Sequence, residues 1–301
     1  MHALYRIGQV AVSEIAGAIR SRRALVILLL YLLASVFSMN GTITILGKVE
    51  HELVEVLQLP PSDETGVVSV TLWKSKIFQK MVRKAVNDDV VYADLEGRHP
   101  AELVYGWFAF LFTPLLVVLV AGNRISDDLR SGAIRYQIIR TTRGEWSIGK
   151  LLGQVGMIGL AVVFSALGAW AVVLYRLSGV GVFELLPALF GWSLRAWIYS
   201  WAWLGLILGL SHLTRSGARA TAMGILAIGL LTALPFVLKH FATTEGWRAF
   251  LPMLDVFAPA TILDSLWRQS GLPLAFAAAK SIILGSFFYS IALAFYLRRD
   301  I

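Results

Sequence analysis

LLGQVGMIGLAVVFSALGAWAVVLY, residues 151–175, contains no Asp, Glu, Lys or Arg and decides the fold. A helix needs about 20 apolar residues to cross a hydrocarbon core roughly 30 Å thick, and this stretch meets that length. Five more windows of similar character lie near 24–40, 104–122, 187–210, 220–238 and 272–297. A transmembrane barrel would instead show alternating apolar and polar residues in strands of about 10, whereas these runs are apolar on every face. The expected fold is therefore an all-α integral membrane protein with six transmembrane helices.

The whole chain agrees. Of 301 residues 57% are hydrophobic and 15% charged, with a mean hydropathy of +0.70, so most of its solvent must be lipid. There is no cysteine, which excludes disulfides and thiolate metal sites and leaves the redox compartment open. The net charge of +8 does not point to nucleic acid, because the basic residues gather at helix ends, where they set orientation. Arg6, Arg20, Arg22 and Arg23 precede the first span, six Lys and Arg against three acids occupy 123–150, and Arg298 and Arg299 close the chain. The segment 41–103 instead carries ten acids against seven Lys and Arg. Both termini and 123–150 are therefore expected in the cytoplasm, with 41–103 outside.

Residues 1–23 are too long for the charged lead of a signal peptide, and no small-x-small cleavage site follows, so the first span is read as uncleaved. Within this lead Leu4, Ile7, Ala11, Ile15 and Ile19 share one helical face, and Arg6, Gln9, Ser13, Gly17 and Arg20 the other. That pattern predicts an amphipathic helix lying in the membrane interface. Segment 41–103 is too long for a simple loop. Val70, Trp73, Ile77, Met81 and Ala85 predict an amphipathic helix over about 67–87, preceded by a break at Pro60-Pro61 and a cap at Ser62-Asp63-Glu64-Thr65. It is a helical extracytoplasmic insert, bracing its own spans or a second subunit, or meeting an outer partner.

Enzymatic motifs fail. Gly144-Glu145-Trp146-Ser147-Ile148-Gly149-Lys150 fits seven places of a phosphate-binding loop, but Leu151 stands where the magnesium-binding Ser or Thr belongs and the stretch runs straight into the third span. His2, His51, His99, His212 and His240 show no pairing that would hold zinc, and no Gly-x-Ser-x-Gly elbow occurs. The chain is not expected to be an enzyme by itself or to bind a cofactor or metal.

The second and third spans are joined by 123–150, which contains Asp127-Asp128-Leu129-Arg130-Ser131-Gly132-Ala133-Ile134-Arg135 and ends on Gly149-Lys150. Over 125–140, Ile125, Leu129, Ala133 or Ile134, and Ile138 form a short apolar stripe. Asp127, Asp128, Arg130 and Arg135 are expected to face away, and Gly132 interrupts the stripe. A helix this short is unstable alone, so it should dock on the bilayer surface or in a partner's groove.

Here the sequence resembles the permease subunits of the ABC-2 transporter family. Those carry an acid, three residues, Gly-[Thr/Ser]-Leu, a Leu-Leu pair, Pro-x-x-Arg and a final Gly-Lys at the third span. Asp128, Gly132, Ile134, Arg143, Gly149 and Lys150 match; Ala133 replaces the usual Thr, Thr141 stands near the expected Pro, and the stretch from Gly132 to Lys150 is one residue short. The span arrangement, the amphipathic lead, the outer segment and the ending Tyr296-Leu297-Arg298-Arg299-Asp300 extend the resemblance over essentially the whole chain. It implies one transmembrane domain over 1–301 in the inner membrane, paired with a second copy, most simply as a homodimer. It also implies a separate cytoplasmic ABC ATPase that holds the ATP and Mg, with 125–140 as the coupling helix.

Two charges fall within spans, Arg195 in the fourth and Lys280 in the sixth. At about 2.5–3.5 kcal/mol each on insertion scales, they mark either a cationic pathway lining or side chains that snorkel to the outer interface. Pro235, Pro252, Pro259 and Pro273 are expected to break the 235–273 stretch, with Asp255, Asp264 and Arg268 as counter-charges. Two functions stay open. One is a permease exporting or translocating a substrate; the other is a mechanotransmitter relaying ATPase motion to an extracytoplasmic partner at 41–103 with nothing conducted.

Overall fold

The computed structural model describes residues 2–57, 73, 76–86, 89–177, 182–241, 256–269 and 271–298, in which every regular element is a helix. In chain order these are α1 (His2–Arg20), α2 (Arg22–Leu57), α3 (Lys76–Val86), α4 (Asp89–Leu95), α5 (Pro100–Ala121), α6 (Arg124–Ser131), α7 (Ala133–Gln137), α8 (Arg143–Arg176), α9 (Val182–Leu213) and α10 (Gly217–Phe241). A 3-10 turn (Pro259–Ile262) then leads into α11 (Leu263–Leu266), and α12 (Leu272–Leu297) follows.

Among the described residues five helices are long and apolar enough to cross a membrane: α2, α5, α8, α9 and α12. The predicted span at 220–238 falls on α10, whose described apolar part, Gly217–Ala233, is shorter. Paired contacts fix the directions. Ser147 meets His212, Val155 meets Trp197 and Val162 meets Ser193, so α8 and α9 are antiparallel. Gly122 lies against Thr221 and Val118 against Gly224, so α10 opposes α5. Ser281 donates to Ile198 O at 2.9 Å while Gly209 faces Ala292, so α9 and α12 run together. Tyr105 meets Ser193 and Phe110 meets Tyr199, while Leu32 lies against Gly168 and Asn40 against Arg176, so α5, α9 and α12 point one way and α2, α8 and α10 the other. One end of the bundle gathers Arg20 to Arg23, 122–143, 213–217 and Arg298; we call it the basic end.

In lipid there is little hydrophobic drive between helices, so close backbone packing must hold them together. The seam of α9 and α12 does this: a Cβ on Gly205 would fall 1.9 Å from Gly285 O, and one on Gly285 2.1 Å from Trp201 O. Nearby, Phe110, Trp192 and Trp267 interlock, with ring centroids 4.7 to 6.0 Å apart. Large apolar side chains such as Leu29, Phe37, Leu226, Phe276 and Ile283 point outward, as lipid contact demands.

Several expectations need correction. α2 runs on to Leu57 instead of ending at 40. Thr42 and Thr44 donate back to Ser38 O and Asn40 O, and Arg176 donates to Asn40 Oδ1 at 2.8 Å, so these polar residues are satisfied without leaving the helix. α8 starts at Arg143, before the expected 151. Pro235 does not end its helix, which continues to Phe241; a proline removes one backbone donor, and neighbouring turns of a membrane helix can absorb that loss. Pro259 and Pro273 do begin new elements. Of the helix expected at 67–87, Lys76–Val86 is observed, and buried Trp73 donates to Arg98 O at 2.7 Å; the break at 60–61, the cap at 62–65, Val70, Pro252 and Asp255 lie outside the described residues.

Candidate functional site

The site grows from the start of α8. Thr142 caps it, accepting from Glu145 N at 3.2 Å while the Glu145 carboxylate accepts from Thr142 N at 2.8 Å, a reciprocal capping box. The same carboxylate pairs with Arg6 of α1 at 2.8 Å. The supposed phosphate loop at 144–150 is thus the first two turns of a helix. Further along, Gly149, Gly153 and Gly156 leave room for α1: a Cβ on Gly149 would fall 2.5 Å from that of Val10, and one on Gly153 2.7 Å from that of Glu14.

α1 therefore packs along the first turns of α8 and runs in the same direction. Its inner face is rotated from the predicted one. Glu14 and Ala18 are buried while Leu4 and Ile19 are exposed, because Glu14 has partners inside. Lys150 Nζ and Gln154 Nε2 both donate to its carboxylate, the latter at 2.7 Å.

Lys150 also pairs with Asp128 of α6 at 2.7 Å. Asp127 and Asp128 thus do not face away from the body, as the stripe implied. Asp127 accepts from Asn123 Nδ2 at 2.5 Å, pairs with Arg130 at 3.4 Å, and sits so close to Gly217 that a Cβ there would fall 2.4 Å from its carboxylate. The reason is that α6 is clamped from three sides. Ser126 N donates to Ser211 Oγ of α9 at 3.0 Å, Ile125 is fully buried, and α10 begins against Asp127.

The predicted single helix over 125–140 is two. Gly132 adopts φ +71, a left-handed conformation that glycine takes without strain, and separates α6 from α7. Ile134 is fully buried, Leu129 and Ile138 are half-buried against the core, and Arg130 and Arg135 are exposed. Beyond the turn Tyr136 and Ile139 are 79% and 78% exposed, although both are apolar. A groove of about 790 Å³ opens along 129–135, walled by Leu129, Arg130, Arg135, Arg215 and Tyr296. Arg143 opens α8.

The structure thus brings Asp127, Asp128, Arg130, Gly149 and Lys150 into one junction, with Leu129, Gly132, Ile134, Arg135 and Ile138 along its outer edge. It places Arg195 and Lys280 at the other end of the bundle. Arg195 lies 4.5 Å over the Trp192 ring and donates to Gln269 O at 3.3 Å; Lys280 donates to Thr261 Oγ1 at 3.4 Å. Both therefore reach the segment 256–269. Arg268 of that segment pairs with Asp94 at 2.6 Å.

Three contributors went unseen in the sequence reading. Glu14 is the only acid in residues 2–20 and falls on the side of Ala11 and Ala18, a signal that it needs an internal cation. Thr142-x-x-Glu145 is a capping box and places the helix start before the apolar run. The turn at Leu213–Arg215, short and basic, gave no signal of sharing a groove with 129–135.

Among curated proteins none matches the chain. A family model described as ABC-2 family transporter protein matches residues 9–301, nearly the whole chain including the α1–α6–α8 junction, and the chain belongs to this family of membrane proteins.

Proposed function

We propose that the chain is the permease subunit of an ABC-2 type transporter, coupling ATP hydrolysis on a separate ABC ATPase to export or translocation of a substrate. The observation that carries this reading is the build of the basic end. α8 is 34 residues long, about 51 Å at 1.5 Å per residue, whereas a span needs roughly 30 Å. Its excess turns carry α1 and α6, held by Glu14, Lys150 and Asp128. Next to this rigid block Tyr136 and Ile139 protrude, apolar surface of the kind that marks a protein contact.

In this reading the ATPase docks on 124–139 and the basic groove, and its closure moves α6, which drags α8 and α1 as one body. Docking must differ between nucleotide states, since equal docking transmits nothing. The basic end is cytoplasmic by the positive-inside rule, which puts both termini on the cytoplasmic side of the inner membrane, makes α10 the sixth span and leaves the acidic 41–103 segment outside. A second copy completes the translocation unit.

The test is purification of the tagged chain from its own cells. An ABC ATPase should co-purify, and Tyr136→Ala with Ile139→Ala should release it while the permease stays folded and monodisperse. If no ABC ATPase accompanies the native chain, or the double variant holds it unchanged, the docking assignment fails.

A further inference from the structure

We infer that the basic end carries a binding site for the phosphate group of an anionic membrane phospholipid, seated between the start of α2 and the α5–α6 elbow. A cavity of about 210 Å³ opens there, and its lining is divided by chemistry. Ile27, Leu119 and Val120 form an apolar wall; Arg23, Asn123 and Arg124 form a polar mouth. A phosphodiester continuing into an acyl chain has this same division.

The charges favour an anion. Two carboxylates border the cavity, but each is engaged elsewhere. Asp127 is taken by Asn123 and Arg130, and Asp128 by Lys150. Arg23 and Arg124, in contrast, have no carboxylate within 4 Å among the described residues. Arg124 is also held in place: its Nε donates to Val120 O at 3.1 Å, which leaves the two terminal nitrogens to act as a fork for an acceptor. Guanidinium forks match phosphate oxygens better than ammonium groups do.

Position selects the lipid over a soluble phosphate. Arg23 is the second residue of α2 and Arg124 stands three residues beyond the end of α5, so both lie where spans leave the hydrocarbon and headgroups begin. The occupant would rest against Asp128 and Lys150, the contact that ties α6 to α8. This site does not depend on the identity of the ATPase or the cargo.

The test uses the full-length chain in nanodiscs. Thermal stability is measured in phosphatidylcholine, in phosphatidylcholine with increasing phosphatidylglycerol, and in phosphatidylcholine with millimolar inorganic phosphate. Phosphatidylglycerol should raise Tm saturably, while inorganic phosphate should not. Arg23→Gln with Arg124→Gln should raise the half-saturating lipid fraction by about fivefold for each arginine removed. Arg23→Lys with Arg124→Lys should keep most of the effect, and Arg219→Gln, exposed at the same end but outside the cavity, should keep all of it. An equal response in the double Gln variant, or none in the native chain, overturns the site; a response matched by inorganic phosphate overturns the lipid as its occupant.

Discussion

Asp128 of α6 and Lys150 of α8 meet at 2.7 Å in a pocket that Glu14 of α1 closes from the other side. One ammonium therefore holds three helices, and each carboxylate keeps the other's partner in place. Lys150 is only 6% exposed. A buried cation is tolerated when paired, and removing one member of such a set is far more damaging than never having had it.

Lys150→Met should destabilise strongly, on the order of 3–5 kcal/mol, because it leaves Glu14 and Asp128 facing each other without a cation. Glu14→Gln should cost less, since Asp128 still neutralises Lys150. Combined, the two substitutions should be less than additive. Thermal unfolding of the three purified variants checks the order; a milder effect of Lys150→Met than of Glu14→Gln contradicts the arrangement.

Gly205→Ala should separate α9 from α12 and lower the folded yield, because its Cβ has nowhere to go but into Gly285 O. Gly229→Ala is the control. A Cβ placed there would meet no atom beyond its own helix backbone within 4 Å, so the better helix former should be neutral or stabilising by up to about 1 kcal/mol. Size-exclusion profiles of the two variants decide the matter.

The legibility of the sequence followed what each segment's solvent is. Leu272–Leu297 matches its predicted window residue for residue, because Pro273 starts it and lipid demands an unbroken apolar run. Where helices continue past the hydrocarbon, apolar length stops being informative: α2 and α8 both extend through polar residues satisfied by neighbours, such as Asn40 by Arg176 and Glu145 by Arg6. The apolar stripe of the insert was readable, and Ile125, Leu129, Ile134 and Ile138 do turn toward the core. The insert's inward-facing acids were not readable, since the direction of a carboxylate depends on a lysine and a helix distant in sequence. Glu14 shows the converse, a local anomaly that was readable.

Topology can be tested directly because the chain has no native cysteine. Single cysteines at Arg130 and Asp89, both exposed, should react with a membrane-impermeant thiol reagent from opposite faces, position 89 in intact cells and position 130 only after lysis. Labelling of position 130 in intact cells reverses the orientation.

Arg195 and Lys280 each hold the 256–269 segment, through Gln269 and Thr261. If bracing is their role, Arg195→Met and Lys280→Met should loosen that segment, seen as faster proteolysis within 256–269, with transport reduced no more than about twofold. If they line a pathway for an anionic group, transport falls sharply while the proteolysis pattern stays unchanged.

Coupling should be separable from docking. Tyr136 and Ile139 protrude from the insert, whereas Asp128 points back to Lys150, so under the proposed function one surface would meet the ATPase and the other would pass its motion on. Asp128→Asn removes the charge without adding bulk and leaves Glu14 to pair with Lys150, so the chain should still fold. The variant should bind the ATPase with native affinity but transmit less of its cycle, because α6 can then move without pulling α8. Transport per ATP hydrolysed is the quantity to measure in reconstituted vesicles, alongside co-purification. Loss of ATPase binding by Asp128→Asn would place Asp128 at the docking surface itself, and native transport per ATP would show that motion passes to the spans by another contact.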